Sequence, residues 1–150
     1  MTAIKIVSTA FGDHDVIPQR HSGEGDDVSP PLTWSEAPEG TEELVLVCED
    51  PDAPSGTFLH WLVTGIDPGS SGVAEGGVPP GSQEWPNGFG RMGWAGPMPP
   101  PGHGRHRYFF RLYAVSEPLQ LPGRPDSDAL HRALKGRELA AGTLVGTYER

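Results

Sequence analysis

Leu44-Val45-Leu46-Val47-Cys48, then Asp50-Pro51-Asp52-Ala53-Pro54, then Phe58-Leu59-His60-Trp61-Leu62-Val63-Thr64-Gly65-Ile66: this stretch decides the fold. Two apolar runs flank an acidic turn pinned by prolines. Pro38 and Gly40 precede the first run and Pro51 follows it, so the run is too short for a helix and reads as a strand. The second run reads as its neighbour. Strict alternation would put Phe58, His60, Leu62 and Thr64 on one face and Leu59, Trp61 and Val63 on the other. The peptide bonds before Pro51 and Pro54 are open to either isomer.

A third strand is expected from Arg105 to Val115. One face takes His106, Tyr108, Phe110, Leu112 and Ala114; the other takes Arg107, Phe109, Arg111, Tyr113 and Val115. His106 and Tyr108 then point the same way, about 7 Å apart along the strand. Shorter pieces surround these three. Ile4 to Ser8 reads as a first strand, and Asp13 to Asp27 as loop. Ser29-Pro30-Pro31-Leu32-Thr33-Trp34 suits an edge segment that buries Leu32 and Trp34. Asp67 to Pro101 is a long Gly/Pro-rich connection holding Trp85, Phe89 and Trp94, and a loop of that length suggests a function. The one good helix runs from Pro125 to Ala140, capped by Asp126, Ser127 or Asp128, and a last strand covers Gly142 to Tyr148.

The chain has 150 residues, with Gly 21 and Pro 17, which fits one mainly β domain with long loops rather than a helical bundle. A net charge of −9 opposes nucleic acid as the main partner, since phosphate backbones select basic surfaces. It also opposes docking on an anionic membrane. The single cysteine, Cys48, rules out an intramolecular disulfide. No stretch has the length of a membrane span or the apolar core of a signal peptide, so a cytoplasmic protein is expected.

The residues with chemistry to offer are Asp50, Asp52, His60, His106 and Tyr108. Each also has a structural reading. The carboxylates could cap their own turn, His60 could be a hydrogen-bonded core residue, and Tyr108 could be core with its hydroxyl satisfied. Asp50, Asp52, His60 and His106 are hard donors, but no HxxxH or CxxC spacing supports a metal. No G-x-S-x-G, phosphate loop or dinucleotide fingerprint appears, so no cofactor is expected.

Taken together, Ser29 to Trp34, Asp50 to Pro54, His60-Trp61, Gly96-Pro97-Met98-Pro99-Pro100 and Gly104-Arg105-His106-Arg107-Tyr108 resemble the phosphatidylethanolamine-binding protein family, in its bacterial Raf-kinase-inhibitor-like branch. The resemblance runs from about Phe11 to Tyr148. It implies a large antiparallel sheet packed with a smaller one and a few peripheral helices, one near the C-terminus. It also implies an anion pocket. Asp50 and His60 would line it, with Ala53 beside the turn, Pro99 and Pro100 as a wall, and His106 and Tyr108 completing it. Asp52 would hold the turn or the rim. The ligand would be a small phosphorylated or carboxylate molecule such as a phosphoethanolamine-type headgroup. Binding by imidazolium would strengthen as pH falls through the histidine range. The competing functions are a kinase- or protease-inhibitor role through the loop from Gly69 to Pro101, and, ranked last, acid/base catalysis in the same pocket. A protein partner and a homodimer are compatible with all three.

Overall fold

A computed structural model describes residues 2–150. The strands are β1 (Thr2–Ala3), β2 (Ile6–Val7), β3 (Asp15–Val16), β4 (Leu32–Trp34), β5 (Glu43–Asp50), β6 (Phe58–Ile66), β7 (Gly72–Val73), β8 (Gln83–Glu84), β9 (His106–Val115) and β10 (Glu138–Tyr148). Helix α1 is Ser127–Leu134. The large sheet runs β1-β10-β9-β5-β6-β8, with β3 also on β10. Its central pairings are antiparallel; only the short β1 and β3 lie parallel to β10. The small sheet is β2-β4-β7.

Alternation along β5 and β9 divides the apolar residues between the two faces of the large sheet. Leu44, Leu46, Cys48, Tyr108, Phe110, Leu112 and Ala114 share one core with Ile6, Leu32, Trp34 and Val73 of the small sheet. Val45, Val47, Tyr113 and Val115 share the other with Leu130 and Leu134 of α1. The layers are therefore small sheet, large sheet, helix. This is the mainly β architecture expected from the sequence.

β6 departs from strict alternation. Glu49 pairs with Leu59 and Cys48 with Trp61, so His60 is an extra residue in a β-bulge. A second bulge falls between Val63 and Ile66, where Gly65 takes φ +68°. As a result Leu59 and Leu62 join the helix-side core, while Trp61 and Val63 join the other. The expected grouping of His60 with Leu62 fails for this reason.

Other boundaries move for local reasons. α1 stops at Leu134 instead of reaching Ala140, because Gly136 turns the chain at φ +82°. β10 consequently starts at Glu138, four residues before the expected Gly142. Asp126 is the cap, accepting from the Ala129 N–H at 2.8 Å. β4 is the middle strand of the small sheet, not an edge, since Pro30 and Pro31 lie just before it. The Asp13–Asp27 segment is not all loop: it holds β3 and a short 3-10 turn, Gln19–His21. The Asp67–Pro101 connection contains β7, β8 and a bridge between Pro86 and Met92. No cis peptide bond occurs among the described residues. Nor is any described helix long and apolar enough to cross a membrane.

α1 is fastened by charge as well as by its leucines. The buried Glu49 carboxylate accepts from His131 Nε2 at 3.0 Å, and Arg111 lies at 3.6 Å. The Glu49 bond holds His131 above its ordinary value. Burial pulls Glu49 upward, but the lowering influences, led by the His131 bond and followed by Ser127 and the Arg111 charge, outweigh it and the net direction is down. A raised histidine contributes stability below its unfolded value of 6.5 and loses it as pH rises through the folded one. A lowered glutamate contributes above 4.5 and loses it as pH falls through its folded value. Thermal unfolding of His131→Gln against wild type should therefore differ most between pH 4.5 and 6.5. The difference should shrink on both sides. A pH-independent difference would mean that His131 acts by packing alone.

Candidate functional site

At the Asp50 end of β5, the turn from Asp50 to Pro54 meets the start of β9 and the first residues of β6. Asp50 closes the turn by accepting the Asp52 N–H on Oδ1 at 2.7 Å. Its other oxygen, Oδ2, accepts Nδ1–H of His106 at 2.6 Å. Both partners of that pair are buried. The second nitrogen of His106, Nε2, stands 2.6 Å from Nδ1 of His103, so one of these donates and the other accepts. Asp50, His106 and His103 thus form a chain from the interior to an exposed loop.

His60 is placed by its bulge and fixed by one bond. Nδ1–H donates to the Ala95 carbonyl at 2.6 Å. The ring is surrounded by Phe58 at 4.8 Å and Tyr108 at 5.2 Å between centroids, the latter edge-on. Burial pushes its pKa down, against smaller upward pulls from Ala95 and Asp50. Burial accordingly favours the neutral ring of His60 near pH 7. Tyr108 is 1% exposed, and its hydroxyl has no hydrogen-bond partner among the described residues. Burial first, and then the Asp50 charge, drive its pKa far above the phenol range, so it stays a donor.

Asp50, His60, His106 and Tyr108 line a cavity of about 180 Å³. Ala53 and Pro54 come from the turn, Phe58 from β6, and Phe89, Met98, Pro99 and Pro100 from the long connection. The volume is below the range for drug-sized ligands, roughly 300–1,000 Å³. It suits a headgroup.

Of the residues singled out in the sequence, Asp50, Ala53, His60, Pro99, Pro100, His106 and Tyr108 are brought together here. Asp52 is not among them. Its carboxylate takes a two-pronged bond from Arg107, Nε to Oδ2 at 2.9 Å and Nη2 to Oδ1 at 2.8 Å, and also accepts the Arg107 N–H. The Arg107 bond holds Asp52 at about 2, so it ties the turn to β9 as a carboxylate. Trp94 is also outside, stacked on Phe110 at 5.9 Å.

Sequence reasoning did not find Phe58, Phe89, Met98 or His103. Phe58 was legible as a strand residue two before His60. Phe89 owes its place to Asn87, whose side chain bonds Gly93 O and the Phe89 N–H, and to Gly88 N–H on Leu59 O. Such loop paths leave no periodic trace. Among the described residues no group of three or more His, Cys, Asp or Glu is arranged to hold a metal. Cys48 is fully buried, and burial raises its thiol well above the ordinary value, which removes it as a nucleophile.

Residues 7–149 match the phosphatidylethanolamine-binding protein family. A Mycobacterium tuberculosis relative that carries the name lipoprotein LppC is 46% identical over 148 residues, covering 97% of this chain and 72% of its own. A UPF0098 protein of Methanothermobacter thermautotrophicus is 43% identical over 147 residues, covering 94% and 95%. The solved structure of Escherichia coli YbcL, described as a new member of the mammalian PEBP family, superposes with a TM-score of 0.91. It has 26% identity and covers 99% of each chain. The lipoprotein name overturns the expectation of a cytoplasmic protein. In a lipoprotein the anchor is attached outside the folded domain, so a domain's composition does not report where its protein resides. The chain belongs to the phosphatidylethanolamine-binding protein family.

Proposed function

We propose that this chain is a binding protein for a small phosphate-type oxyanion, either free phosphate or the phosphate of a headgroup, held between Asp50, His60, His106 and Tyr108. One observation carries the reading. The Tyr108 hydroxyl is buried on the cavity wall with its proton unused. Leaving such a group unpaired costs about 1–3 kcal/mol, a cost that a ligand oxygen removes. Family membership and the headgroup-sized cavity support it. With a net charge of −9 the protein as a whole does not steer anions in, so affinity should be modest and come from local bonds.

The test is titration with phosphate and with O-phosphorylethanolamine, following the histidine side-chain NMR signals. Signals of His60 and His106 should shift saturably. His60→Ala and His106→Ala should each weaken binding by at least about tenfold, roughly 1.4 kcal/mol. If no histidine signal moves at millimolar ligand, the cluster is structural and the reading fails.

A further inference from the structure

The pocket read above as an oxyanion site offers more lone pairs than protons. A carbonyl only accepts, so the bond from His60 to Ala95 O places the ring proton on Nδ1. Nε2 of this buried neutral ring therefore presents a lone pair, and it has no protein partner among the described residues. Asp50 adds a carboxylate whose two oxygens already accept from Asp52 N and His106 Nδ1. Nε2 of His106 is engaged by His103. The free buried donor is the Tyr108 hydroxyl. An oxyanion whose oxygens are all unprotonated satisfies Tyr108 and then faces a lone pair and a carboxylate. An oxyanion with an O–H satisfies Tyr108 with one oxygen and donates from another to His60 Nε2 or Asp50.

We propose that the ligand is an oxyanion that brings its own proton, namely hydrogen phosphate or the monoanion of a phosphate monoester, and that His60 is the acceptor that discriminates against sulfate and sulfate esters. This rests on the oxyanion reading of the pocket and adds a specificity to it. The selectivity belongs to the tautomer that Ala95 imposes. The net charge of the ligand does not enter, because a phosphate monoester and a sulfate ester can carry the same charge and shape and still differ by one proton.

The experiment compares phenyl phosphate with phenyl sulfate at about pH 5, below the second ionisation of a phosphate monoester near 6. Both are then monoanions of one shape, and only the phosphate has an O–H. The His60 ring nitrogen shifts are recorded at the same pH, and a protonated Nε2 there overturns the inference. Calorimetric titration of the wild-type protein should give saturable binding of phenyl phosphate. Phenyl sulfate should be weaker by at least about tenfold, since it covers the His60 Nε2 lone pair without bringing a proton to it. Equal affinity, or tighter binding of the sulfate, overturns the inference and leaves the oxyanion pocket standing. Binding of neither probe overturns the pocket reading itself. His60→Gln, which can turn an N–H toward the ligand, should narrow the ratio. A folded variant with an unchanged ratio removes His60 as the discriminator. If that variant does not fold, the wild-type ratio still decides.

Discussion

Tyr108→Phe is expected to stabilise the ligand-free protein and to weaken phosphate binding in the same stroke. The ring lies in the core between Phe110 and the site, 1% exposed, and Phe fills the same space. What disappears is one hydroxyl that is buried and unpartnered. Removing an unsatisfied buried polar group should return about 1 kcal/mol, a rise of about 2–4 °C in Tm for a chain of this size. The same hydroxyl is the donor that the proposed oxyanion would use. Hydrogen bonds to charged groups contribute about 1.5–3 kcal/mol, so affinity should fall by about 10- to 150-fold. Thermal unfolding and phosphate titration of the two proteins check both halves. A lower Tm with unchanged affinity would mean that the hydroxyl has a structural partner in solution.

Gly96→Ala should be the most damaging small substitution near the site. A Cβ there would sit 2.1 Å from the His21 carbonyl oxygen and 2.9 Å from Ser22 Cα, both backbone atoms. It would also press on Asp27 Oδ1, which accepts the Gly96 N–H at 2.7 Å. Backbone on both sides has to move, an overpacking cost of about 2–3 kcal/mol, or about 4–12 °C in Tm. The damage should reach the pocket, because the preceding residue, Ala95, supplies the carbonyl that fixes His60. Loss of that anchor should broaden or move the His60 ring signals as well as lower Tm. Gly123→Ala is the matched control. A Cβ there meets nothing within 4 Å, and the change should stay within about 0.5 kcal/mol. Equal melting of the two variants would show that the Ala95–Gly96 segment yields without cost.

Much of this architecture was written in local pattern. The continuous run from Leu44 to Cys48, the proline-bounded turn and the period-two alternation of β9 were enough to place three neighbouring strands and to aim His106 and Tyr108 together. What escaped depends on pairing between distant residues. The β6 bulge arises from how Cys48 and Glu49 meet Trp61 and Leu59, which no window on β6 alone contains. The Asp52–Arg107 clamp spans 55 residues, so a carboxylate that read as a site residue became a fastener of the turn. Phe89 and His103 sit on paths set by Asn87 and by the glycines at 102 and 104, both at positive φ. The helix end needed Gly136, a residue that a moderate apolar period had simply run across.

The extra residue at His60 gives β6 two ends with different freedoms. A one-residue slip in a strand normally exchanges every side chain between faces. Here the extra residue is absorbed at His60, and Trp61 and Val63 resume core positions directly beyond it. Substitutions at the cavity-facing end, Phe58 and His60, are therefore expected to leave the register of Trp61 and Val63 in place.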